Sequence, residues 1–180
     1  MSHSSYNRGL VPLRSLGFSA CIAGILMSTP ALAAASGPGH LPGFPLVSLQ
    51  AQGVAMWPAI SNGQSVWVQF EPASWAYHDD QIVIFQSPVI PQQYWIKRIL
   101  ATPGQTIVVR ANQVFINGKK AKEPFVRHRQ SVNVPATSIP AGYVWVEGDN
   151  RPRSYDSRLF GLLPIRNIVG LVFVHRPQKH

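Results

Sequence analysis

A chain of 180 residues with 46% hydrophobic and 13% charged side chains is long enough to bury a core and too apolar for a disordered or acidic solvating segment. Sixteen Lys and Arg against seven Asp and Glu make it basic and draw it toward anionic surfaces, lipid or nucleic acid, and charge alone does not choose between them. The one cysteine, Cys21, excludes an internal disulfide framework and a cysteine-built zinc site.

Residues 1–35 form a unit of their own. Arg8 and Arg14 precede GFSACIAGILM, eleven residues without a charge, and STPALAAAS follows with small residues around Ala31-Leu32-Ala33 that suit a signal-peptide cleavage site. Two readings stand side by side. Cut, the segment is a signal peptide that frees the mature domain. Uncut, residues 16–36 are just long enough to span a bilayer, with the arginines on the cytoplasmic side. Both readings export the remainder of the chain. Residues 36–46, beginning SGPGHLPGFP, hold too much Pro and Gly for a helix or strand and read as a linker.

From residue 47 to 180 the hydrophobic period is two. Strands are predicted at SVWVQF (65–70), QIVIFQ (81–86), YWIKRILA (94–101), TIVVR (106–110), QVFIN (113–117), YVWVE (143–147) and VGLVFVH (169–175). SNG, HDD, SPVIP, TPG, NGKK and IPAG supply the turns between them. The pattern is all-β, without a long amphipathic helix or an internal repeat.

Three segments carry more than fold information. GVAMWPAISNGQ (53–64) is a turn built of small residues that holds position 55 in a fixed pose, yet that residue is Ala. In YWIKRIL, alternation puts Trp95, Lys97 and Ile99 on one face of the strand. A lysine among apolar neighbours loses hydration, its proton affinity falls, and it becomes able to act as a general base. The plain alternative is a lysine whose stem lies along the sheet with its ammonium in water. GDNRPRSYDSRLFG (148–161) reads as a tight loop in which Asp156 and Arg158 can pair, with Ser154 and Ser157 as turn hydroxyls.

Taken together, GVAMWPAISNGQ, YWIKRILATPGQ and GDNRPRSYDSRLFG resemble, in order, the nucleophile, lysine and closing boxes of the type I signal peptidases. These are membrane-anchored serine proteases with a serine-lysine dyad. VFINGKKA and GLLPIRNIVG fit the same family, and the resemblance covers roughly residues 47–175. It implies a mainly β, coiled-sheet domain preceded by one N-terminal hydrophobic segment. It also implies Lys97 as general base, Ser154 as the hydroxyl that orients it, and Gly53, Met56 and Pro58 as substrate-binding residues. Asp149, Asp156 and Arg158 fall at positions of structural support. The nucleophile position is residue 55, where the family's serine is replaced by Ala55.

In a serine-lysine dyad the neutral amine takes the hydroxyl proton as the oxygen attacks the peptide carbonyl. Ala55 retains a backbone N–H for the oxyanion and has no oxygen to attack with. Ser48 and Ser61 are six or seven residues away, too far along an extended chain to replace it. Three further departures stand out: Gln64, Gln81 and Gln105 occupy positions where the family commonly has Asp after a turn. Gln keeps a hydrogen bond there and loses the charge.

The resulting expectation is a signal-peptidase-like endopeptidase scaffold for exported precursors cut after small residues, impaired or inactive as written. The alternatives are an exported-peptide-binding pseudoenzyme and a dedicated maturation peptidase, for example for conjugative pilins. The expected partners are precursor polypeptides and a membrane surface, with no nucleic acid, no cofactor and no metal. The expected location is the inner membrane with the β domain on the periplasmic side, or the periplasm if the leader is cut. The aromatics Trp57, Trp67, Trp75, Tyr77, Tyr94 and Trp95 divide between core and membrane contact. Lys119, Lys120, Lys122, Arg127 and Arg129 form a basic cluster for solvent or anionic lipid. Two rivals fit less. Self-cleaving repressors carry a DNA-binding helical domain where this chain has an export-like segment, and a single-strand-binding barrel does not account for three boxes in order.

Overall fold

In the computed structural model, which describes residues 25–26, 46–70 and 76–174, the chain is mainly β. The strands are β1 (Ile25–Leu26), β2 (Leu46–Ala51), β3 (Ser65–Phe70), β4 (Ile82–Gln86), β5 (Tyr94–Ala101), β6 (Thr106–Arg110), β7 (Gln113–Ile116), β8 (Lys119–Lys120), β9 (Val134–Ser138), β10 (Tyr143–Glu147), β11 (Leu163–Pro164) and β12 (Ile168–Phe173). Among the described residues one short helix, α1 (Ser157–Phe160), follows a 3-10 turn at Arg151–Arg153, and a second 3-10 turn spans Ile165–Asn167. Apart from Ile25–Leu26 and Leu46, the expected leader and linker lie outside the described residues, as do Cys21 and Trp75. Among the described residues no helix is long and apolar enough to cross a membrane.

Eight strands form one sheet in the order β1-β2-β3-β12-β4-β5-β10-β11, and β8-β7-β6-β9 form a second. The sequence explains who stands inside. IVIF of β4 is buried at every position because Ile82 and Ile84 meet one apolar cluster and Val83 and Phe85 another, whereas β3 alternates over Ser65–Val68, burying Val66 and Val68. Two apolar clusters sit against the large sheet, one around Met56, Ile60, Val66 and Val68 and the other around Val83, Phe85, Ile99 and Val146. A third, around Ile107, Val109, Val114 and Trp145, joins the small sheet to the large one.

β5 is an interior strand, paired to β4 with Val83 opposite Lys97 and to β10 with Glu147 opposite Arg98. Lys97 therefore stands on backbone held from both sides. β5 and β10 bring the lysine box and the closing box together, although some fifty residues separate them in sequence.

Five strands were not predicted, among them β1, two residues inside the expected leader. β9 contains Pro135, which supplies no ladder donor and survives because β9 is an edge of its sheet. β8 and β11 are two residues each, too short for a period, and β2 starts at Leu46, inside the expected linker. The glutamines that replace turn acids keep the turn bonds. Gln64, Gln81 and Gln105 each use Oε1 to accept from the backbone N–H three residues earlier, Ser61, His78 and Thr102, at 2.9, 2.9 and 2.7 Å. A neutral amide oxygen is thus enough to close these turns.

Of the described aromatics, Tyr77 is buried, Trp67, Tyr94 and Trp95 are half-buried, and Trp57 is exposed with its ring stacked on His128 at 5.6 Å. The basic cluster is solvent-facing, and Arg129 within it pairs with the buried Glu123.

Candidate active site

The turn after β2 is fixed from below and from the side. Met56 and Ile60 enter the core, and Ile60 N–H donates to Met56 O at 2.9 Å, pinning the Met56–Trp57 peptide. Gly53 takes φ +89, which suits a residue without Cβ, and its N–H donates to Asn62 Oδ1 at 2.7 Å. From the opposite loop, Asn150 N–H donates to Ala55 O at 3.0 Å, and its side-chain amide donates to Val54 O at 3.0 Å.

Gly148 makes this junction possible. A Cβ there would lie 2.3 Å from Ser154 Oγ and 2.6 Å from Ala55 O, so only glycine lets the two loops meet. Ser154 is thereby placed against the backbone of Ala55.

Lys97 is buried, 5% exposed. Its Nζ donates to Ile96 O at 3.2 Å and lies 5.7 Å from the centre of the Trp95 ring. Burial lowers its pKa to about 8, partly opposed by the negative charge of Asp156 and assisted by the positive charge of Arg158. An amine in this state gives up its proton close to neutral pH. Ser154 Oγ donates its proton to Asp156 Oδ2 at 2.6 Å, which leaves the serine oxygen as an acceptor only.

Asp156 organises the closing loop. It accepts from Gly148 N–H at 3.0 Å, caps α1 at Arg158 N–H, and is gripped by Arg158 through Nε and Nη2, both at 2.8 Å. Asp149 is likewise gripped by Arg98 through two nitrogens, at 2.9 and 2.7 Å. Burial raises the Asp149 pKa, against the pull of that guanidinium. Arg98 reaches further to Asp80 O and lies 4.1 Å over the Phe125 ring.

Ala55, Met56 and Gly53 share with Lys97 the lining of a cavity of about 320 Å³, closed on one side by Trp95 and Tyr155. Pro58 falls elsewhere: it lines a larger cavity of about 800 Å³ with Asp80, Arg98 and Phe125. Asp149, Asp156 and Arg158 stand behind the small cavity, away from its lining. Among the described residues no three His, Cys, Asp or Glu side chains converge on a metal position. Chemically, the cavity offers space for a side chain, an amine able to accept a proton, and a methyl group at position 55.

Several participants were absent from the sequence reading. Arg98 has no role there, and its partner Asp149 is 51 residues away. Tyr155, not singled out there, meets Trp95 edge to face at 5.8 Å as one wall of the cavity. Glu123, Glu147 and Arg151 are buried and joined by ion pairs. The one available signal was Glu147 itself, a single acid closing the apolar run YVWV.

A family profile described as "Signal peptidase, peptidase S26" matches residues 24–175. Signal peptidase I V of Bacillus subtilis is 35% identical over 141 residues, covering 70% of this chain and 83% of that protein. Probable signal peptidase I-1 of Synechocystis sp. is 36% identical over 126 residues, covering 64% of this chain and 63% of its own. Thylakoidal processing peptidase 1, chloroplastic, of Arabidopsis thaliana is 36% identical over 129 residues, covering 64% of this chain and only 37% of that protein. A crystal structure of a signal peptidase I from Enterococcus faecalis aligns with a TM-score of 0.46 and 28% identity, over 54% of this chain and 97% of that one.

Proposed function

The chain belongs to the signal peptidase family, peptidase S26, and from that premise we propose that it receives an extended segment of an exported precursor in the cavity between Ala55 and Lys97. Lys97 is the general base of the scaffold and Ser154 its orienting hydroxyl. Residue 55 is the nucleophile position, and with alanine there the chain binds without cutting.

The single observation that carries this reading is that Ala55 and Lys97 line one cavity, with Lys97 buried enough to be a base near neutral pH. With a hydroxyl at 55, Lys97 would accept its proton during attack on the scissile carbonyl, and the resulting acyl-enzyme would be hydrolysed by water. Without it, the other serine beside the site is engaged with Asp156. A small side chain fits the cavity, and precursors ending their leaders in Ala-x-Ala supply one. We place the domain at the outer face of a membrane. The exposed side chains of Val54, Trp57, Tyr155 and Leu159, at or next to the two loops that build the site, support a lipid-facing rim.

The test compares the chain with its Ala55→Ser variant on a precursor bearing an Ala-x-Ala site. Cleavage after restoration only, together with binding of the uncut peptide by the unaltered chain, is the expected result. Equal cleavage by both proteins rejects the reading.

A further inference from the structure

The half of β5 that faces the cavity is paired along one edge only. Gln93 O accepts from Ser87 N–H at 2.8 Å and Ile99 N–H donates to Gln81 O at 2.9 Å, so the odd-numbered residues from 93 to 99 turn their backbone polar groups toward β4. The even-numbered ones turn the other way. On that side β10 pairs with β5 only from Arg98 onward, and among the described residues no strand lies beside the outward N–H and C=O of Tyr94 and Ile96. Both residues line the cavity that Ala55 shares with Lys97.

Ile96 O already has a partner, and that partner is Lys97. Lys97 Nζ donates to it at 3.2 Å, the one hydrogen bond that the ammonium makes among the described residues. The Trp95 ring, 5.7 Å away, adds a weaker attraction. Lys97 is buried, and a buried ammonium stripped of its acceptor is so costly that losing the proton is the easier course. The outward carbonyl that a docking strand needs is therefore the one that helps to hold the proton on the amine.

We propose that Ile96 O is a switch: a precursor segment adding to this edge as a strand takes the carbonyl with its own N–H, displaces the Lys97 ammonium, and leaves a neutral amine. The displaced proton passes to water. Docking of the precursor and activation of the base are then one event, and near neutral pH the empty site rests with its lysine charged. The charged groups acting on Lys97 are Asp156 and Arg158 of the closing loop and Asp149, itself tied to Arg98. Tyr94 and Tyr155 are the other titratable side chains of the lining. None of them bonds to Nζ, so Ile96 O is the contact that docking takes away.

The inference rests on the reading that the cavity takes an extended precursor, and its test separates the two. In the full chain with Ala55 unchanged, lysine side chains are isotope-labelled and the Lys97 resonance, assigned by its loss in Lys97→Met, is followed by NMR against pH. The titration is run on the free chain and on the chain saturated with a peptide bearing an Ala-x-Ala site. The peptide is expected to weaken proton binding at Lys97 by about tenfold. Backbone-ester analogues, each with one peptide N–H replaced by oxygen and each used at saturation, identify the cause. The analogue lacking the N–H that reaches Ile96 O should bind and leave Lys97 near its free midpoint. An unmoved midpoint with the parent peptide bound, or the same shift with every ester, overturns the proposal alone. Absence of peptide binding overturns it together with the functional reading.

Discussion

The backbone N–H of Asn150 donates to the carbonyl of Ala55 at 3.0 Å, so the closing loop holds the very peptide unit of the residue we propose as the nucleophile position. That bond, with the Asn150 side chain on Val54 O, keeps position 55 in place whether or not its side chain carries an oxygen. Restoring serine should therefore restore a site, not merely a residue. Cleavage of an Ala-x-Ala precursor by Ala55→Ser should exceed that of the unaltered chain by about three orders of magnitude or more. Mass spectrometry of the products would show it, and a gain under tenfold would argue that the pose is lost.

The pH profile of that restored enzyme follows from Lys97. Only the neutral amine accepts a proton, and burial brings the Lys97 pKa down to about 8. Activity of Ala55→Ser should rise with pH through about 8 and level off above it. A profile flat from pH 6 to 9 would mean that another group is the base.

The same burial has a cost in stability. The folded state binds the Lys97 proton more weakly than the unfolded chain, whose value is 10.5, so a destabilisation is present in full below about pH 8 and relieved as pH rises toward 10.5. Lys97→Met, of similar length and without charge, should raise stability at pH 7 by about 1–3 kcal/mol while abolishing cleavage in the Ala55→Ser background. Urea melts at pH 7 and pH 10 test the sign: the advantage of Met should shrink at the higher pH.

Gly148→Ala places a methyl group 2.3 Å from Ser154 Oγ and 2.6 Å from Ala55 O. The loops must separate, at a cost of about 1–3 kcal/mol or more. A thermal midpoint equal to that of the parent would show that the two loops do not meet at this residue.

Arg98→Lys keeps the charge and loses the fork that grips both oxygens of Asp149. Asp149 is buried, so the variant should lose about 1–3 kcal/mol in urea unfolding. A loss below a few tenths of a kcal/mol would place Asp149 in contact with water.

What could be read from the amino-acid order was whatever depends on local periodicity and on short contiguous boxes. Seven strands follow from alternation, because a side chain's face is set by its own position in the strand. Lys97, Ser154, Asp156 and Ala55 stand out because each sits in a box of a dozen or so residues with its own turn chemistry. The pairings across the fold could not be read that way. That Arg98 belongs to Asp149, that Gly148 must lack a Cβ to admit Ala55 and Ser154, and that Glu147 shares Arg158 with Asp156 were decided by β5, β10 and the loops folding together. A contact across fifty or ninety residues leaves no period in the chain. A buried charge takes its proton affinity from whichever partners the packed sheet brings beside it.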